Sequence, residues 1–112
     1  MRLGRPQDAA FDAAQAAETV GEEGVCIALA GPWGQRNVAR LRTPFGEAAA
    51  KTGGIRVDLS AVPYLDTAAI GLLMLLAGAC QRAGRRLEIV GATPPALRCF
   101  EVCCAEYLLV PA

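Results

Sequence analysis

The chain contains no histidine. Histidine is the commonest general base and the commonest metal ligand, so Ser-His-Asp and Cys-His chemistry is excluded within this chain. Serine is almost absent as well: Ser60 is the only one, and it follows an apparent strand. Lys51 is the only lysine; the other basic residues are arginines. Excess charge of either sign is lacking, because 11 Lys and Arg residues balance 11 Asp and Glu residues. That balance gives no electrostatic case for a nucleic-acid partner or an anionic membrane surface. Long apolar runs are lacking too. Residues 68–80 form the most hydrophobic stretch, well short of the roughly 18 to 20 residues that span a bilayer, so no direct membrane insertion is expected. Residues 1–19 have no apolar run of the signal-peptide kind.

What is present is a globular composition, 54% hydrophobic and 20% charged over 112 residues, suited to one core. The five cysteines are Cys26, Cys80, Cys99, Cys103 and Cys104. An odd count without a secretion signal reads as a reduced, cytoplasmic protein. Cys99 and Cys103 lie one helical turn apart. With no histidine and no second close cysteine pair, they read as small buried hydrophobes and not as a zinc site. No metal and no cofactor are expected.

Residues 1–17 are alanine-rich and read as a linker, a frayed helix or an expression remnant; the folded domain is expected over 18–112. A short strand is expected at 18–20, then a Gly21-Glu22-Glu23-Gly24 turn and a strand over 25–29. Asn37 is a candidate N-cap for a helix to residue 50, with Val38, Leu41, Phe45 and Ala48 on one face, although Pro44 argues against a regular helix. A strand over 55–59 follows. Asp66 or Thr67 caps a helix to about residue 83, closed by Gly84. Residues 87–90 form another strand, and Thr93-Pro94-Pro95 opens a last helix to about residue 105. The alternation predicts an α/β fold with parallel neighbours and right-handed crossovers. The expected core is Ile27, Leu29, Val57, Leu59, Leu65, Ile70, Leu73, Leu87, Ile89, Leu97 and Phe100.

The segment Val57-Asp58-Leu59-Ser60, a short loop, and then Asp66-Thr67-Ala68-Ala69-Ile70 resembles the STAS family, named for sulfate transporters and anti-sigma factor antagonists. The resemblance runs over about residues 24–110. It implies a STAS-type (SpoIIAA-like) fold: a mixed four- to five-stranded sheet with helices packed on it. It also implies a bacterial, non-catalytic regulatory module that binds another protein, as a monomer or weak dimer. In antagonist members the position of Thr67 is phosphorylated by a partner anti-sigma kinase. A hydroxyl at a helix start lies near free backbone N–H groups that can accommodate a phosphate, whose charge alters the contact surface. Read from its residue type alone, Thr67 is an N-cap, and Asp66 is either a cap or an orienting group. The switch loop comprises Asp66, Ala68 and Ala69, where the family's small polar residue and glycine are both replaced by alanine.

Two further features belong to the expected partner surface. Gly71, Leu75, Gly78 and Arg82 share a helical face, and glycines there would let another backbone come close. Gly31, Trp33 and Asn37 are similar to the spacing in STAS domains attached to polysaccharide glycosyltransferases or phospholipid-transport ABC permeases. Trp33 reads equally as a lid over the sheet. The leading expectation is an antagonist-like interaction module docking on an anti-sigma kinase. The alternative is an accessory domain of a phospholipid-transport ABC system or of a glycosyltransferase. An enzyme using Asp58 or Asp66 lacks a base, a metal cluster or a phosphate loop to work with.

Overall fold

The computed structural model describes residues 6–110. The chain runs α1 (Pro6–Asp12), β1 (Gln15–Gly21), β2 (Gly24–Ala30), α2 (Arg42–Ala50), β3 (Gly54–Ala61), α3 (Thr67–Arg82), β4 (Leu87–Val90) and α4 (Pro94–Val102). Short 3-10 turns cover Val38–Leu41 and Glu106–Leu108. The sheet is mixed, in the order β1-β2-β3-β4, with β1 antiparallel to β2 and the other pairs parallel. Each parallel strand is followed by a helix, as the alternation of the sequence requires.

The period of two in the strands decides which face is buried. Val25, Ile27 and Leu29 of β2, Ile55, Val57 and Leu59 of β3, and Ile89 of β4 are buried. Their neighbours Cys26, Ala28, Asp58 and Glu88 are half-buried on the opposite face. Ile70, Leu73, Leu76 and Cys80 of α3 close over the apolar face, joined by Phe45 and Ala48 of α2 and by Ala96 and Phe100 of α4.

Several expectations are corrected. The strand expected at 18–20 runs from Gln15, so the division expected at residue 18 falls inside β1. Every residue of β1 is exposed, because it is an edge strand beyond the span of the helices; its Ala-rich pattern carries no apolar alternation to announce it. The helix expected from Asn37 to residue 50 is a 3-10 turn followed by α2, and Asn37 makes no cap bond. Pro44 accounts for the break. It sits third in α2, in the first turn, where a missing N–H costs no intrahelical bond. The last helix stops at Val102, short of 105, and Cys103 and Cys104 lie in a turn with Cys104 at φ 55°. Leu97 is 39% exposed on the outer face of α4, and Leu87 is only partly buried. Gly84 has φ 66°, the left-handed conformation expected after α3.

Candidate functional site

The motif loop enters from the end of β3 and is fixed before it reaches α3. Trp33 and Leu65 form a parallel bridge: the Trp33 N–H donates to the Tyr64 carbonyl at 3.0 Å, and the Asp66 N–H donates to the Trp33 carbonyl at 3.3 Å. Thr93 Oγ1 donates to the Val62 carbonyl at 2.6 Å, tying the start of α4 to the same loop. The loop is thus held by strand-like pairing on one side and by a hydroxyl on the other.

Asp66, and not Thr67, is the N-cap of α3. Its Oδ1 accepts from the N–H groups of Ala68 at 2.9 Å and Ala69 at 3.2 Å. Its Oδ2 accepts from the Gln35 N–H at 2.8 Å. The carboxylate therefore joins the helix start to the loop that follows β2. Gly34 makes that approach possible, since a Cβ there would collide with the Asp66 carboxylate.

Thr67 is the first residue of α3 and is exposed. Ala68 is half-buried and Ala69 is buried in the core. The N–H groups at the helix start, expected to be open to a phosphate on Thr67, are in part engaged in this structure. Two of those donors already serve Asp66, and the Ile70 N–H donates to the Asp66 carbonyl as the first helical bond.

From Thr67 the exposed face continues along α3. Leu75 is 69% exposed and Met74 is 41% exposed; Gly71 and Gly78 are half-buried and Arg82 is exposed. A Cβ added at Gly71 would meet no atom within 4 Å, and one at Gly78 would meet only Arg82 Nη1 at 3.3 Å. Packing among the described residues does not demand either glycine. The apolar residues of this helix divide accordingly: Leu76 is buried, Leu72 packs against the core, and Leu75 is left outside.

Trp33 and Asn37 do not belong to this surface. Trp33 is 1% exposed and Asn37 is 5% exposed, so neither side chain reaches a partner; Trp33 fills the core beside the motif loop instead. Asn37 Oδ1 accepts from the Gly34 N–H at 2.9 Å, shaping the turn that presents Gln35 to Asp66. Gln35, Gly34, Tyr64 and Met74 are members of the region that the sequence pattern missed. Gly34 alone carried a local signal, as a glycine required by close approach. Tyr64 is 47% exposed just before the motif loop's return to the core.

Cys99 of α4 lies near Asp66, and burial, together with the neighbouring Cys103 and Asp66, pushes its thiol up to about 11. Cys80 is raised for the same first reason, burial. These thiols are protonated at neutral pH and poor nucleophiles. Among the described residues no group of three or more His, Cys, Asp or Glu side chains could hold a metal ion. No helix among them is long and apolar enough to cross a membrane.

Comparison with known proteins gives the frame for this geometry. A family model described as Mlab, STAS domain, matches residues 16–110. No curated protein matches the chain in sequence. Among solved structures, the chain is similar to an anti-sigma factor antagonist (STAS) domain protein from Planctomyces limnophilus, with a TM-score of 0.73 and 14% identity over 84% of this chain and 86% of that one. It is similar to the anti-sigma factor antagonist SpoIIAA in its unphosphorylated form, with a TM-score of 0.73 and 19% identity over 89% of this chain and 88% of that one. A sulfate transporter family protein from Wolinella succinogenes gives 0.67 and 15% identity over 82% and 75% of the two chains. At these identities the structural likeness is one of fold.

Proposed function

Because the chain belongs to the STAS family, we propose that it is a non-catalytic docking module whose contact surface is centred on Thr67 and continues along the exposed face of α3. The observation that carries this reading is the exposed Thr67 hydroxyl at the start of α3, next to an Asp66 carboxylate already committed to three N–H groups. The glycines and Leu75 extend it: they leave room and apolar area that the described residues do not use. The partner is an anti-sigma-type kinase that phosphorylates Thr67. The phosphate places nearly two negative charges on the contact surface and releases the partner.

A second reading is favoured by particular residues. Ala68 and Ala69 replace the family's small polar residue and glycine, residues 31–37 carry no carboxylate, and the matching family model is the Mlab type. These features suit an accessory domain of a phospholipid-transport ABC system, or of a polysaccharide glycosyltransferase, in which Thr67 is a permanent contact.

Titration of the parent, Thr67→Ala and Thr67→Asp against the partner protein separates the two. The switch reading expects Thr67→Asp to lose about 1 to 3 kcal/mol of binding while Thr67→Ala stays near the parent. If Thr67→Asp binds like the parent and Thr67→Ala fails, Thr67 is a direct hydrogen-bonding contact and the charge switch is wrong.

A further inference from the structure

The short helix α1 ends against the loop that carries the Asp66 cap. The last carbonyls of a helix have no partner within it. Here they are taken from outside. Asn37 Nδ2 donates to the Phe11 carbonyl at 3.0 Å, and Arg40 Nη1 donates to the Phe11 and Asp12 carbonyls at 3.3 and 3.5 Å. Arg40 Nη2 donates to the Ala14 carbonyl at 2.8 Å. The same guanidinium lies 5.1 Å from the centre of the Trp33 ring, a cation–π distance. The Phe11 ring meets Tyr64 edge-on, 5.9 Å between centres and 86° between planes.

Two of these partners, Asn37 and Trp33, lead from the clasp to the Asp66 loop. Asn37 shapes the Gly34 turn through its Oδ1 while its Nδ2 holds Phe11 and, at 3.0 Å, the Pro32 carbonyl. Trp33 is bridged to Leu65, and Gln35 donates to Asp66. A continuous set of contacts therefore runs from the end of α1, through Asn37 and Arg40, to the carboxylate that caps α3.

We propose that α1 is a strap, clasped by Asn37 and Arg40, whose attachment sets the order of the Asp66–Thr67 loop, so that releasing it loosens the docking surface. Asn37 and Arg40 are positioning residues in this scheme, acting through Gly34, Gln35 and Asp66. The consequence for docking rests on the reading of Thr67 as a contact, but the coupling itself does not. The clasp is side chain to backbone, and its Arg40 bonds to the Phe11 and Asp12 carbonyls are exposed, so opening it locally costs far less than global unfolding.

Residue-resolved amide hydrogen exchange on the full chain tests it, comparing the parent with Arg40→Ala and Phe11→Ala. The strap reports at Ala13 and Ala14, whose N–H groups donate to the Ala9 and Phe11 carbonyls. The cap reports at Gln35, Ala68 and Ala69. Both variants should speed exchange at the strap and, with it, at the cap by about tenfold or more, while Val57 and Ile89 in the core strands change less than about twofold. Faster exchange at Ala13 and Ala14 with an unchanged cap overturns the coupling. No change at Ala13 and Ala14 overturns the clasp. A uniform rise that includes Val57 and Ile89 makes the two residues merely structural and overturns the proposal as well. The Thr67→Asp titration fails or succeeds independently of this pattern, so the two readings fall separately.

Discussion

Asp66 and Thr67 are adjacent, yet the structure gives them opposite kinds of importance. Asp66 is an internal joint: its two oxygens serve three backbone donors on two separate segments. Thr67 makes no cap and faces outward. Loss of an N-cap carboxylate costs roughly 0.5 to 2 kcal/mol, and the added bond to Gln35 places Asp66→Ala toward the upper end, about 2 kcal/mol less stable. Thr67→Ala should change stability by less than about 0.5 kcal/mol, because nothing buried depends on the hydroxyl. Urea unfolding of the two variants checks the pair. Equal losses would mean that Thr67 shares the cap. The residue pair was legible as a pair from the motif, but the division of labour was not. Asp and Thr are both good N-caps, and only the backbone conformation at Asp66, φ −116° and ψ −176°, decides between them.

At the scale of the element, α3 carries both the core and the candidate surface. Its buried side, Ala69, Ile70, Leu73, Leu76 and Cys80, is what the sheet needs. Gly71 is a cost to the helix that no contact among the described residues repays, since a methyl group there would meet none of their atoms. Gly71→Ala should therefore raise stability by about 0.5 to 1 kcal/mol through helix propensity alone. The same methyl group should weaken docking if another backbone approaches this face. Thermal unfolding and partner titration of one variant give both signs. A more stable protein with unchanged docking would remove Gly71 from the contact surface. Periodicity placed Gly71, Leu75, Gly78 and Arg82 on one side of the helix. It did not say which apolar residues of the helix stay outside, because that depends on where α2 and α4 come to rest.

At the scale of the whole molecule, the buried thiols link the fold to pH. Burial pushes Cys99 up to about 11 and raises Cys80, whereas thiols of the unfolded chain ionise near pH 8.5. Between those values the folded chain keeps protons that the unfolded chain has lost. Stability contributed by the protonated thiols is therefore complete below about pH 8.5 and declines as pH rises toward about 11. Urea midpoints measured from pH 8 to 10.5 should fall, and the fall should be shallower in Cys99→Ala. An equal slope in both proteins would show that Cys99 does not carry the effect. The sequence by itself determined the α/β alternation, the helix over the motif and the inward faces of β2 and β3, because these follow from local period and turn chemistry. It also determined that no histidine-based chemistry is available. Only the tertiary structure decided that Trp33 and Asn37 lie inside, that β1 begins at Gln15, and that the helix donors beside Thr67 are in part engaged. The physical reason is range. Asp66 meets Gln35 across 31 residues and Asn37 meets Phe11 across 26, and such contacts exist only once the sheet has brought the loops together.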